Sequence, residues 1–487
     1  MEERAIRGVP WTLLTFGTNK IIGFLTTLAL ARMVSPDDFG LFALAALVSL
    51  FLTIFRDLGL GSSLIVRQDF DRRGQGTVVT MMILLGVIAA ILVVGVSPLA
   101  ALAFDEPRLS GVLAAISVTL ILGSVAWAYE VLMQRALAFK RRFIAQLIQT
   151  LSYTVVAISL GLAGAGVWSL VGGAIAAAAG SSIAYYLLAP YRVPLGLNRG
   201  VARDAVTSSR GFIAQGILEL VRVNADYLAV GRLLGTEPLG LYGMAYRLGE
   251  LPTVGIADPV AKVTFPAFSE MGYKGQDVSS PFLASLRLVA LITVPVGAIL
   301  SGAAEPFVDF AFGDKWAGMV GPLTVLGVWA AVRPIEATES WLLNSLGQAG
   351  VLARILAAVL VVLIPGFVLA AALGNITVVA CVALGELLIT LPAIAVVVHR
   401  RLGLSLARQW QALRPMVIAA PVTWLASWAT ATGLEAQLAG VTLAAAVAAG
   451  SLTYLETLTL VEPGLLRTTR GQIRRILRRS PPAAAAS

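Results

Sequence analysis

Leu30-Ala31-Arg32-Met33-Val34, followed by Phe39-Gly40-Leu41-Phe42 and Ala45, returns later in the chain as Val230-Gly231-Arg232-Leu233-Leu234, Leu239-Gly240-Leu241-Tyr242 and Ala245. The two stretches align without a gap at an offset of 200 residues, so Arg32 lies over Arg232 and Gly40 over Gly240. Self-similarity at a fixed offset is the mark of a duplicated architecture. Each copy covers the end of one apolar run, a short polar turn and the start of the next run.

Outward from the repeat, the chain is a succession of such runs. Of 487 residues, 58% are apolar and only 13% charged, about half the charge of an ordinary soluble domain. A bilayer core about 30 Å thick needs roughly 20 apolar residues per helix, and about fourteen runs of that length occur. Their limits are 10–34, 39–60, 77–102, 109–130, 143–164, 166–190, 208–232, 238–259, 282–304, 320–345, 351–373, 376–398, 415–433 and 437–461. The first run is too long for the core of a signal peptide. The predicted fold is an all-α polytopic membrane protein of about 14 transmembrane helices.

The net charge of +9 belongs to topology rather than to nucleic acid. Alternate breaks carry Arg67, Arg72, Arg73, Arg135, Lys140, Arg141, Arg142, Arg192, Arg199, Arg203, Lys262, Lys274, Arg400, Arg401, Arg408 and Arg414, with a tail from Arg467 to Arg479. The opposite breaks hold Asp37, Asp38, Asp105, Glu106, Glu305, Asp309 and Asp314. Both termini are therefore expected in the cytoplasm, and the chain in a bacterial cytoplasmic membrane. An offset holding an even number of spans keeps both copies in one orientation and puts the pseudo-twofold along the membrane normal. The expected domains are a six-helix lobe at 1–206, a second at 207–414, two accessory helices at 415–461 and a basic tail at 462–487. A cavity between the lobes is expected to be the site.

The motif Leu30-Ala-Arg-Met-Val-Ser-Pro-Asp-Asp-Phe-Gly-Leu-Phe42, then Asp57-Leu-Gly-Leu-Gly-Ser-Ser-Leu-Ile-Val-Arg67, resembles the polysaccharide flippase branch of the multidrug/oligosaccharidyl-lipid/polysaccharide exporter superfamily. Asp226-Tyr-Leu-Ala-Val-Gly-Arg-Leu-Leu-Gly235, Gly240-Leu-Tyr-Gly-Met-Ala-Tyr-Arg-Leu248, Phe265-Pro-Ala-Phe268 and Phe310-Ala-Phe-Gly-Asp-Lys-Trp316 are similar to its colanic-acid-type exporters. The resemblance implies a two-lobed flippase that carries polyprenyl-pyrophosphate-linked oligosaccharide between leaflets by alternating access. It further implies polysaccharide polymerase and assembly proteins as partners.

A charge at mid-bilayer costs about 2.5–3.5 kcal/mol on insertion scales, so ionisable residues inside spans mark cavities or partners. Gln215, Glu219, Arg222 and Asp226 follow one another at intervals of four, three and four, one face of a helix. Arg247 with Glu250, and Arg333 with Glu336 and Glu339, repeat the spacing. Lys20, beside Asn19, lies about 3 Å from the middle of its predicted span, and Arg56 about 9 Å from the middle of the next. Lys20, Arg56, Arg222, Arg247 and Arg333 are the candidate cations for a pyrophosphate. The same spacings also describe ion pairs that neutralise one another within a helix. Glu386, alone near the centre of its span, is a candidate proton carrier. Pro252 and Pro295 fall inside spans and are candidate bends.

No phosphate-binding glycine loop and no paired-histidine zinc helix is present, and no cofactor is expected. Cys381 has no second thiol to pair with, and His399, the only histidine, flanks Arg400 at a helix end. Lipid II flipping and drug or cation antiport stay open as alternatives of the same architecture. A membrane glycosyltransferase or polymerase is disfavoured, because no break offers room for an outer catalytic loop.

Overall fold

The computed structural model of the chain describes residues 2–57, 60–61, 64, 70–200, 220–434 and 437–464, with 2–16, 52 and 54–57 described by their backbone alone. Gln215, Glu219 and the basic tail lie outside these residues, as does the side chain of Arg56. Lipid supplies no hydrogen-bond partner to the backbone, so spanning segments must satisfy their own N–H and C=O groups. Helix is accordingly the only regular structure among the described residues.

Two compact units divide at Gly243 and Met244. The first holds α1 (Glu2–Met33), α2 (Pro36–Asp57), α3 (Arg72–Ala103), α4 (Arg108–Ile116), α5 (Val118–Arg135), α6 (Phe139–Leu162), α7 (Val167–Leu188) and α8 (220–233). α9 (Thr236–Pro252) runs through the division and continues as a π-helical turn, Thr253–Ala257, into α10 (Asp258–Tyr273). The second unit continues with α11 (Ser279–Gly302), α12 (Ala304–Ala311), a 3₁₀ turn (Asp314–Met319), α13 (Val320–Ser345), α14 (Ala349–Ala372), α15 (Ile376–Leu402), α16 (Leu406–Gly433) and α17 (Ala439–Val461).

Helix starts are written into the polar breaks. Asp71 accepts a hydrogen bond from the Gly74 N–H at 2.7 Å, and Asn375 from that of Thr377 at 2.8 Å. Before α2, Ser35 accepts from the Asp38 N–H at 3.1 Å and donates its hydroxyl to the Asp38 carboxylate at 2.9 Å. Pro36 then occupies the first helical position, where its missing N–H costs nothing.

Among the described residues, nine helices are long and apolar enough to cross a membrane. The sequence expectation of about fourteen is larger for identifiable reasons. α1 and α2 include residues described by their backbone alone, the π turn cuts α9 to 17 residues, α8 is described only from residue 220, and Arg408, Gln409, Gln411 and Arg414 dilute the start of α16. The run expected at 109–130 is one of the nine, Arg108–Arg135, passing through a single turn residue at Ser117 that keeps helical dihedrals, and the one expected at 238–259 continues as helix to Tyr273. Exposed Val263 and Tyr273 show that this continuation is not enclosed within its unit. Of the two expected bends, Pro252 directly precedes the π turn, whereas α11 is continuous through Pro295.

The repeated motif supplies the tightest backbone approach in the first unit. A Cβ on Gly40 would fall 1.7 Å from the Thr236 carbonyl oxygen, and one on Gly240 would fall 1.8 Å from that of Pro36. The contact is reciprocal, each glycine meeting the residue four places before the other. Thr236 also donates its hydroxyl to Asp37. This crossing explains why α8 and the start of α9 pack with the first unit, although the sequence repeat places the second lobe from residue 207. Between helices in lipid, where apolar burial gives little drive, such close approach and its hydrogen bonds hold the helices together. In the second unit Gly297 and Gly327 do the same for α11 and α13. Their Cβ atoms would come 2.5 Å from the Ala331 N and 2.6 Å from the Ser301 N.

On the acid-rich side, Arg108 ties two turns together. Its guanidinium grips Glu106 through two hydrogen bonds of 2.8 and 2.7 Å and reaches Asp37 at 2.9 Å. The Arg108 hydrogen bond holds the Glu106 carboxyl below its ordinary value of 4.5.

Two outcomes are expected. Gly240→Ala should destabilise the purified protein by about 1–3 kcal/mol, as overpacking does, read as a lowered melting temperature. Gly111→Ala, whose added methyl meets nothing within 4 Å, should not lower it. For Glu106, a depressed folded pKa means that its stabilisation is complete above the unfolded value and disappears as pH falls through the folded one. Glu106→Gln should therefore lower stability at neutral pH by about 1 kcal/mol or less, the Arg108 side chain being half exposed. Wild type and variant should converge in acid.

Candidate functional site

Short hydroxyl side chains can be buried in a helix because they bond back to the preceding turn, and at helix contacts they can also reach across. Between α1 and α6 they form a short ladder. Thr26 and Thr154 share a hydrogen bond of 2.8 Å, and Thr150 donates to the Asn19 side-chain oxygen at 3.1 Å. Asn19 is thereby fixed at the contact, while its neighbour Lys20 is exposed on the surface of α1. Lys20 stands within about 4 Å of the middle of α1 at the helical rise of 1.5 Å per residue.

α8 carries the described half of the polar stripe. Arg222 is half-buried, whereas Asp226 is buried against α9. The Asp226 carboxylate accepts from the Tyr242 hydroxyl at 2.7 Å and from the Tyr227 N–H at 2.8 Å. Tyr227 in turn donates to the Gly243 carbonyl at 3.3 Å, and the two tyrosine rings meet edge to face at 5.8 Å. Asp226 therefore clamps α8 to α9 and is sealed from any open face in this conformation.

In the second unit α13 is broken in character by Arg333, Glu336 and Glu339. Arg333 pairs with Glu336, whose other oxygen accepts from the Ser340 hydroxyl at 3.1 Å. The guanidinium stands 6.0 Å from the Trp329 ring centre, and that ring lies 5.2 Å from Tyr246. The i, i+3 ion pair that the spacing allowed is formed. Glu339, one turn on, is 1% exposed, and its Oε2 has no hydrogen-bond partner. Arg247 is exposed on α9, Glu250 is half-buried one turn on, and Glu386 is half-buried on α15.

At the basic end of the second unit a cavity of about 680 Å³ opens among the turns that join α10 to α11 and α13 to α14 and the end of α15. Tyr273, Gln276, Asp277, Gln348 and Arg401 line it. Hydrogen bonds from the Ser279 hydroxyl and N–H hold the Asp277 carboxyl below its ordinary value. None of the candidate site residues lines this cavity; of its lining only Arg401 was named from sequence, as a topology charge, because turns far apart in the chain build it. Thr150, which bonds Asn19, was likewise invisible as an isolated residue in an apolar run, and Tyr242, which bonds Asp226, was quoted only as part of the repeat. Among the described residues no group of three or more His, Cys, Asp or Glu is placed to hold a metal ion.

The polysaccharide biosynthesis protein family matches residues 29–321, more than half of the chain. Relatives include the teichuronic acid biosynthesis protein TuaB of Bacillus subtilis, 24% identical over 71% of this chain and 72% of its own length. The succinoglycan biosynthesis transport protein ExoT of Rhizobium meliloti is 27% identical over 71% and 70%. The lipopolysaccharide biosynthesis protein WzxC of Escherichia coli is 22% identical over 69% and 68%. In fold, the chain superposes on the lipid II flippase MurJ with a TM-score of 0.74 at 13% identity, covering 94% of this chain and all of that one. It also superposes on an inward-facing multidrug MATE transporter with a TM-score of 0.59 at 16% identity, covering 78% and 94%. The helices, their repeated motif and these matches together identify the chain as a multi-pass membrane member of the polysaccharide biosynthesis protein family, with the fold of the multidrug/oligosaccharidyl-lipid/polysaccharide exporter superfamily.

Proposed function

We propose that this protein moves a polyprenyl-pyrophosphate-linked oligosaccharide from the cytoplasmic to the outer leaflet of a bacterial inner membrane, by alternating access, for cell-surface polysaccharide assembly. The need for a protein follows from desolvation. Each sugar hydroxyl costs about 4–8 kcal/mol to carry into hydrocarbon unpartnered, and an isolated ion costs tens. A path lined by water and fixed cations removes most of that cost.

The observation that carries the reading is Lys20, a cation exposed at the middle of α1 beside the Asn19–Thr150 and Thr26–Thr154 hydrogen bonds. A lysine at that depth favours an aqueous path over lipid by the cost of burying its charge. Arg56, Arg222 and Arg247 are read as further cations offered to the pyrophosphate, with Gln215, Glu219 and Glu250 as polar lining. Arg333 and Glu336 are read as a structural pair, Asp226 as a helix clamp and Glu386 as a carboxylate open to protonation. The reciprocal contact of Gly40 and Gly240 supports the repeat offset of 200 residues. The relatives' roles in teichuronic acid, succinoglycan and lipopolysaccharide biosynthesis support a glycan cargo over a drug. The likeness to MurJ keeps lipid II as the second reading, since both cargoes are anionic polyprenyl lipids.

Deletion of the gene should accumulate the lipid-linked oligosaccharide on the cytoplasmic leaflet. Wild type should clear it, and Lys20→Ala at equal protein level should not. Unchanged lipid intermediates on deletion would overturn the flippase reading. Full export by Lys20→Ala would remove Lys20 from the site. For the pair on α13, Arg333→Gln alone should cost about 3–5 kcal/mol in stability by stranding a buried carboxylate, and the double change with Glu336→Gln should recover most of it. Loss of transport by Arg333→Gln at undiminished stability would instead place Arg333 among the substrate cations.

A further inference from the structure

Arg354, one turn into α14, and Arg400 and Arg401, on the last turn of α15, are 46 residues apart in sequence and meet around one groove. With Val351, Ile355 and Val397 they line a cavity of about 340 Å³. No carboxylate lines it, and among the described residues none of the three guanidiniums forms an ion pair. The Arg354 Nε donates to the Gly350 carbonyl at 3.2 Å, which steadies its stem and leaves the terminal nitrogens available. Three like charges gathered in so small a space repel one another unless an anion joins them. Guanidinium is the group suited to phosphate, because its planar fork donates two parallel hydrogen bonds.

The remainder of the groove specifies what the phosphate is attached to. Its other three lining side chains are all aliphatic. From it, Val361, Val362 and Leu369 on α14 and Leu388 and Ile389 on α15 continue as exposed apolar surface along the spans. A charged head with hydrocarbon tails matches this sequence of surfaces, and basic pockets between transmembrane helices on the cytoplasmic side suit such heads. The volume lies near the bottom of the range for small-ligand sites, about 300–1,000 Å³, which suits one glycerophosphate head and leaves no room for a chain of sugars.

We propose that this groove binds the phosphodiester head of an anionic phospholipid from the leaflet on the basic side of the protein, with its acyl chains lying along α14 and α15. The site is separate from the transport cations, and its occupancy does not depend on the flippase reading.

The full-length protein would be examined by native mass spectrometry with phosphatidylglycerol or phosphatidylcholine added. Wild type should retain one phosphatidylglycerol in preference to phosphatidylcholine. Each charge removed by Arg354→Gln, Arg400→Gln or Arg401→Gln should weaken retention about fivefold, and the triple change about a hundredfold. Arg408→Gln removes a charge from the same end of the molecule outside the groove and should change nothing. Because Arg354 is exposed, its single variant is expected to fold and carries the test if the triple variant does not accumulate. Equal weakening by Arg408→Gln would reduce the effect to general surface charge and overturn the site. Displacement of phosphatidylglycerol by inorganic phosphate alone would overturn the lipid assignment. Stronger retention of undecaprenyl pyrophosphate, lost in the same variants, would give the groove to the transported substrate and likewise overturn it.

Discussion

A peptide group in hydrocarbon has no water to bond to, and much of this structure is a consequence. Every crossing segment must be a helix, and helices already surrounded by apolar lipid gain little from burying leucine against leucine. What remains is close approach. Gly40 and Gly240 let two backbones touch where any side chain would intrude, and Thr236 adds a hydrogen bond to Asp37 at the same point. Gly297 and Gly327 repeat the device in the second unit, where α11 and α13 pack. Hydrophobic clusters such as Phe282, Leu286, Leu342 and Ile394 fill the space that these crossings define.

The same constraint sorts the polar residues. Hydroxyls on α1 and α6 bond to preceding carbonyls and to one another, so they sit at the helix contact without orphaned donors. Asp226 is satisfied by a tyrosine hydroxyl and a backbone N–H, and Glu336 by an arginine and a serine. Among the described residues Glu339 is one of seven exceptions, and the only carboxylate among them, with one oxygen unmatched in a buried position.

Much of this was legible in sequence because it depends on periodicity and on residue type. The run read at 320–345 is α13 to the residue, and the glycines that the repeat aligns, Gly40 and Gly240, stand where two backbones cross. What escaped depends on partners remote along the chain. Asp226 shares a helical face with Arg222, and the sequence does not say that Tyr242, sixteen positions later, covers it. Arg400 reads as a charge in a polar break and Arg354 is lost inside the run read at 351–373, until α14 and α15 lie side by side. Pro252 signals a disturbance without specifying its form.

That form has a geometric effect of its own. A π turn accommodates one more residue than the α-helix around it, and each residue of an α-helix advances by about 100°. Thr253–Ala257 therefore resets the angular phase between α9 and α10. Arg247 and Glu250 lie before the reset, and Lys262 and Glu270 after it, so a helical wheel drawn straight through Pro252 assigns the later residues to the wrong azimuth. The two halves of this long rod are indexed independently. Sliding the extra residue along the rod by one turn would swing the intervening side chains round the axis while the ends stayed in place, a rotation that needs no loop to carry it.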